Sequence, residues 1–280
     1  MGKSKEIHKG KVAIIAGGGS GIGKEICLYL ARKGAVVIIA DVNIDSANDV
    51  LKEIKAIGSE CIAKQVDVTI KEDVHSLITS VKDQFGKIDL LINSAGIGLD
   101  GEFKDVTMKS FKHVIDVNLW GVIYGTYFAY QIMISQGFGQ IVNVSSLAGL
   151  LPGGLMTSYV ASKQGVTGFT LSLRAEANLY GIKVNALCPG FIETPIHDKT
   201  EKVSEYLKKE QNQRNKKHFP TANKCIGTMM RGIEKNKAII VVPRLHKAFW
   251  ILYRVFPSLI PLAWSKIIKQ LKDNSKNNVA

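Results

Sequence analysis

Cysteine is scarce in this 280-residue chain: Cys27, Cys61, Cys188 and Cys225 lie far apart and form no CxxC pair. That spacing excludes a zinc ribbon and a disulfide framework, and reads as reduced structural thiols in a cytoplasmic protein. The six histidines are scattered as well, so no metal site is expected. The opening run Met1-Gly-Lys-Ser-Lys-Glu-Ile-His8 lacks the apolar stretch of a signal peptide. Glu6 occupies the place where a myristoylation signal requires Ser or Thr. There are no internal repeats and no low-complexity linker.

With 46% apolar and 22% charged residues, the composition is that of a soluble globular domain long enough to bury a large core. Short apolar runs predict strands near 12–16, 36–40, 61–66, 89–93, 140–144, 183–187 and 238–242. Amphipathic helices fall between them, for example Ser46 to Ile57 and Lys71 to Phe85. Longer helices are expected over 103–135 and 159–180. Gly58, Gly86, Gly137 and Gly181 stand where helix C-terminal caps belong. Strict alternation of strand and helix specifies a parallel sheet covered on both faces.

The first strand runs into Gly17-Gly-Gly-Ser-Gly21-Ile-Gly23, and a helical pattern follows. Gly17, Gly21 and Gly23 allow a tight turn, close approach of backbone to a diphosphate, and close helix packing, and the helix N-terminus supplies partial positive charge. A glycine-rich loop alone is a weak signal, but the strand before and the helix after give it the required context. The second strand ends in Asp41, 18 residues after Gly23. A carboxylate there accepts hydrogen bonds from an adenosine ribose and repels a 2′-phosphate, which favours NAD over NADP.

Tyr159 and Lys163 lie four residues apart and so share one helix face, with Ser146 thirteen residues before the tyrosine. A free phenol, with a pKa of about 10, is a poor base at neutral pH. A neighbouring ammonium is expected to lower it, and Ser146 to hydrogen-bond a substrate oxygen beside it. Ser145 is the rival for the serine role.

Taken together, these motifs resemble the short-chain dehydrogenase/reductase family over roughly residues 8–195. Ala16-Gly-Gly-Gly-Ser-Gly-Ile-Gly23 is similar to its TGxxxGxG, with Ala16 in place of threonine. Asp67-Val68-Thr69 looks like its adenine-contacting segment, and Asn93-Ser-Ala95-Gly96 its NNAG element, with Ser94 departing from the second asparagine. Asn118, Ser146, Tyr159 and Lys163 match its catalytic tetrad, the offset favouring Ser146 over Ser145. Pro189-Gly190 with Thr194 resembles its PGxxxT segment. The resemblance implies an α/β fold of Rossmann type, a doubly wound, mostly parallel seven-stranded sheet with helices on both faces, over residues 1–245. It implies cofactor contacts from Gly17, Gly19, Ser20, Gly21, Ile22, Gly23, Asp41, Asp67, Val68, Asn93, Ala95, Gly96, Tyr159, Lys163, Pro189, Gly190, Ile192 and Thr194. It further implies that Asn118 holds a water linking Lys163 to solvent, that residues 195–220 form a lid, here polar and the least ordered stretch, and that the long helices pair into a homodimer or homotetramer.

Ser145 to Pro152 and Asn185 to Phe191 look similar to hydroxysteroid and prostaglandin dehydrogenase members. Leu150, Leu151, Leu155, Met156, Phe191 and Ile192 near the inferred pocket suggest a lipophilic secondary alcohol or ketone as substrate, though each could equally be core. Two rivals stand beside this reading: an NADPH-linked carbonyl or acyl-chain ketoreductase, against which Asp41 argues, and a non-catalytic nucleotide-sensing or membrane-docking protein on the same fold. The intact tetrad argues against the second.

Charge is the last asymmetry. Residues 1–198 carry 19 Lys+Arg against 19 Asp+Glu, whereas 199–280 carry 18 against 5, so the whole excess of +13 lies in the final third. Residues 246–280 form a basic, amphipathic extension rich in aromatics. Arg254, Pro257 and Pro261 break its apolar run below the roughly 20 residues of a spanning helix. Peripheral contact with a membrane through 246–272 and a cap over the substrate pocket or a subunit contact are both open, and are compatible. A nucleic-acid surface is not expected, because the aromatics are mixed with long aliphatics.

Overall fold

A computed structural model describes residues 7–211 and 219–277. Seven strands form one parallel sheet: β1 Val12–Ala16, β2 Val36–Asp41, β3 Cys61–Gln65, β4 Leu90–Asn93, β6 Gly139–Val144, β7 Ile182–Pro189 and β9 Ile239–Val242. Their spatial order is β3-β2-β1-β4-β6-β7-β9, so the chain winds outward from β1, returns, and winds the other way from β4. In such a sheet a ligand crevice is expected at that reversal, beyond the carboxyl ends of β1 and β4. The short strands β5 Leu99–Asp100 and β8 Glu201–Lys202 pair separately.

The period of two along each strand decides which side chains reach which helices. Ala13, Ile15, Val37 and Ile39 face helices α1 (Gly21–Arg32), α2 (Ile44–Ala56) and α9 (Ala222–Glu234). Val12, Ile14, Ile38 and Ala40 face α3 (Lys71–Phe85), α5 (Gly121–Gln136) and α6 (Thr157–Ala177). Both faces of the sheet are therefore dry, each large aliphatic contributing about 1.5–3 kcal/mol on burial. Gly58, Gly86, Gly137 and Gly181 follow their helices in the left-handed region, as expected of C-terminal caps.

One long helix is interrupted where the sequence pattern suggests continuity. Residues 103–107 stay outside it, α4 covers Met108–Ile115, and Asp116–Trp120 forms a π-turn before α5 begins. Such a turn widens the helix by one residue and re-aims the side chains it carries. Asn118 sits in its middle.

A buried polar ladder fixes α5 and α6 on the sheet. Asn93 and Asn143 are paired across β4 and β6, and Asn93 Nδ2 donates to Asn143 Oδ1 at 2.8 Å. Asn93 Nδ2 also donates to Thr126 Oγ1 on α5, and Asn143 Nδ2 to Thr170 Oγ1 on α6. Burying amides is costly unless they are paired, and these are.

Beyond the sheet edge, α7 (Ile196–Lys199), β8 and α8 (Glu205–Gln211) make up the first part of the segment expected to form a lid. Lys216 and Lys217 of that segment lie outside the described residues. The chain ends in α10 (His246–Val255) and α11 (Leu259–Asn277). Among the described residues no single helix is long and apolar enough to cross a membrane.

Candidate active site

The glycine-rich turn is shaped by contacts that leave no room for side chains. A Cβ on Gly23 would lie 2.0 Å from the Gly17 carbonyl oxygen, and one on Gly17 would lie 2.5 Å from the Ala95 nitrogen. Gly17 also adopts φ +78. Ser20 caps α1 in an extended conformation, and its side chain makes no capping bond with the helix. First-turn amides of α1 are thus directed at the crevice, a suitable seat for a diphosphate.

Asp41 reaches the same turn from the end of β2. Its Oδ2 accepts from Gly19 N at 2.9 Å and its Oδ1 from Asn43 N at 3.0 Å. This fixes a carboxylate beside the loop, where it can accept from ribose hydroxyls and repel a 2′-phosphate. The donor set fits NAD. On the far side, a Cβ on Gly21 would meet Thr194 at 3.6 Å, so the Pro189–Thr194 segment folds over the loop. Ile192 is buried in the core, and His246 packs on Gly190.

Two of the residues expected at the cofactor also bond within the protein. The Asn93 amide points inward to the polar ladder, because burial between β4 and α5 leaves it no other partner. Asp67 turns onto its own turn, accepting from the Thr69 amide and hydroxyl at 2.9 and 2.7 Å. Val68 packs against Gly121 at the head of α5.

The tetrad converges. Ser146 follows β6, Tyr159 and Lys163 stand on the first turns of α6, and Asn118 lies on the π-turn packed against α6. The Ser146 hydroxyl stands beside the Tyr159 phenol, whose pKa it lowers, and accepts from Ala148 N at 3.1 Å. Ser145 is buried and bonded to the Lys163 carbonyl and Thr167, so the serine facing the phenol is Ser146. Lys163 Nζ donates to the Val144 carbonyl at 3.0 Å and lies 5.8 Å from the Tyr159 ring centroid. A Cβ on Gly96 would come within 3.4 Å of that ammonium, so the tetrad and the dinucleotide loop share one wall.

The electrostatics differ from the simple expectation. The Tyr159 pKa lies above the ordinary phenol value: burial raises it, the Ser146 hydrogen bond lowers it, and the Asp100 carboxylate raises it. The anticipated lowering by Lys163 does not prevail, because burial brings the lysine itself down to about 8. Asp100, at the end of β5, had no sequence signal to mark it. Leu155, one of the residues expected near the pocket, holds φ 65, and its carbonyl accepts from Gly101 N.

Of the residues suggested to line a lipophilic pocket, Leu150 packs with Ala186 and Cys188 and so belongs to the core. Phe191 is exposed and stacks on Phe219 at 5.3 Å.

Comparison with known proteins now bears on this geometry. The family model for "short chain dehydrogenase" matches residues 11–205. The chain belongs to that family. Cyclohexanol dehydrogenase of Acinetobacter sp. is 37% identical over 187 residues, covering 66% of this chain and 74% of the relative. Bovine 15-hydroxyprostaglandin dehydrogenase [NAD(+)] is 35% identical over 213 residues, covering 71% and 75%. A Burkholderia phymatum short chain dehydrogenase/reductase solved in complex with NAD superposes with a TM-score of 0.82 at 28% identity, covering 90% of this chain and 95% of that one. The protein is an oxidoreductase of CH–OH groups, and its cofactor is NAD.

Proposed function

We propose that this dehydrogenase interconverts a lipophilic secondary alcohol and its ketone, with Tyr159 as the acid/base and Ser146 as the hydroxyl that holds the reacting oxygen. The observation that carries the reading is the convergence of the Ser146 hydroxyl and the Lys163 ammonium on Tyr159, beside the Gly96 wall. Bound NAD supplies a hydride acceptor, or in its reduced form a hydride donor.

Tyr159 removes the hydroxyl proton as hydride leaves the same carbon, so a C–H and an O–H bond break while C=O forms. In the reverse direction its phenol protonates the alkoxide. Ser146 donates to the substrate oxygen as charge develops there, a role worth about 3–4 kcal/mol in comparable donors. Lys163 hydrogen-bonds the nicotinamide ribose and stabilises the phenolate as it forms. Asn118 fixes the π-turn against α6 and the proton path behind Lys163. Gly17, Gly21 and the α1 amides seat the diphosphate, while Pro189, Gly190 and Thr194 hold the nicotinamide end.

Lipophilicity is supported by the half-buried Met156 on the loop before α6, and by the two dehydrogenases of hydrophobic alcohols among the relatives. A homodimer or homotetramer through α5 and α6 is supported by the exposed Trp120 and Tyr127. Peripheral contact through 246–272 completes the reading. The test is a panel of hydrophobic secondary alcohols with NAD, followed by absorbance of the reduced cofactor, with Tyr159→Phe as control. NAD-dependent turnover that disappears in the variant supports the proposal; turnover unchanged in the variant refutes it.

A further inference from the structure

The C-terminal helices have two faces of different character. Inward, Trp250 packs against Leu150 and Cys188, and a Cβ on Gly154 would lie 3.0 Å from the Trp264 indole and 3.1 Å from Ile268. Lys272 Nζ donates to Glu102 at 2.7 Å, and α11 packs on α8. These helices therefore roof both the loop that leads to Tyr159 and the lid.

Outward, Ile251, Leu252, Val255, Phe256, Leu259 and Leu262 are all exposed, Val255 at 62% and Leu262 at 60%. On the helical wheel, Ile251, Leu252 and Val255 stand opposite the inward residues His246, Trp250 and Tyr253. Six neighbouring aliphatic and aromatic side chains in water are an unusual surface for a soluble domain. Lys247, Arg254, Lys266 and Lys269 flank them, and 246–272 contains no acidic residue. The helices meet at a bend of 112°, and only as a pair do they reach the length and hydropathy of a membrane segment.

We propose that α10 and α11 seat the protein on an anionic lipid surface, so that the roof of the active site is the face turned to the bilayer. The charge pattern selects this occupant. A second copy meeting the same face about a two-fold axis would set cation against cation, with no acid in 246–272 to offset them. An anionic leaflet takes the apolar side chains into its acyl boundary and the flanking cations at its phosphates. A lipophilic alcohol partitioned in the bilayer then arrives next to the roof. That consequence rests on the proposed dehydrogenase activity toward a lipophilic alcohol, whereas the docking does not.

The experiment therefore reads docking alone. Full-length protein is floated with phosphatidylcholine vesicles, with and without phosphatidylserine, and NADH binding is followed in parallel by fluorescence. We expect flotation with phosphatidylserine vesicles that falls as salt rises. Arg254→Glu and Lys266→Glu should each weaken it roughly fivefold or more. Val255→Glu with Leu262→Glu, at exposed positions, should abolish it while NADH binding is kept. Equal flotation in the parent protein and these variants overturns the proposal. So does binding indifferent to phosphatidylserine, or a change of sedimenting mass in the double variant without any change in flotation, which would assign the face to a second copy. Loss of NADH binding in the parent protein would instead count against the dehydrogenase reading and leave the flotation result standing.

Discussion

Asn118 grips the backbone of Ile97 from both sides: its Oδ1 accepts from Ile97 N at 2.8 Å and its Nδ2 donates to Ile97 O at 2.9 Å. The second amide hydrogen goes to Ser162 Oγ at 3.1 Å. Both amide hydrogens are thus committed to protein, so a water leading from Lys163 must find other atoms of the π-turn. The side chain that the motif marks as catalytic acts here as a clamp between the end of the NSAG element and α6. Asn118→Ala leaves the half-buried N–H and C=O of Ile97 without this partner, at up to about 1–3 kcal/mol each. Lower thermal stability together with reduced kcat is the expected outcome, measured by calorimetry and initial rates.

Tyr159→Phe removes the proton-transfer group and retains the ring. Turnover should fall by about two to four orders of magnitude. NADH affinity, measured by fluorescence titration, should change little.

Asp100 raises the Tyr159 pKa. Alcohol oxidation requires the phenolate, so activity rises with pH through that pKa. Asp100→Asn removes the negative charge and should move the rising limb of the kcat/KM profile to lower pH. A limb that stays in place or moves upward contradicts this assignment.

Lys163 contributes a signed pH dependence of stability. Its ordinary pKa of 10.5 becomes about 8 in the fold. Below pH 8 the fold must bury a charged ammonium, and the penalty is fully present. Between pH 8 and 10.5 the folded protein has released this proton while the unfolded chain retains it, so stability rises with pH by up to about 3 kcal/mol from this group. Lys163→Met should abolish that part of the rise in denaturant titrations run across the window.

The role proposed for Asp41 is to discriminate between the two nicotinamide cofactors. Asp41→Ala removes the repulsion toward a 2′-phosphate and also the acceptor of the Gly19 amide. Competing titrations with NADH and NADPH should show weaker NADH binding and a reduced preference for it.

The sheet was readable because both of its faces are buried. A strand dry on both sides is a continuous apolar run such as Val36–Ala40, and its glycine-punctuated neighbours leave few alternatives. The dinucleotide loop was readable for a related reason: positions such as Gly23, where a Cβ would strike the Gly17 carbonyl, leave one residue type. The break in the long helix was not, since Asp116–Trp120 carries no proline or glycine to announce a π-turn. The exposed stripe on α10 was seen as an amphipathic segment, but which side faced the protein was not in the pattern.

By itself, the sequence determined the doubly wound architecture, the dinucleotide loop and the positions of the four tetrad residues, because periodicity and steric exclusion act along neighbouring residues of the chain. Only the tertiary structure decided that Ser146 and not Ser145 meets the phenol, that Asn118 clamps Ile97, and that burial and Asp100 raise the Tyr159 pKa. Each of these depends on what removes water from a group and which charge stands beside it. Segments distant in the chain supply both.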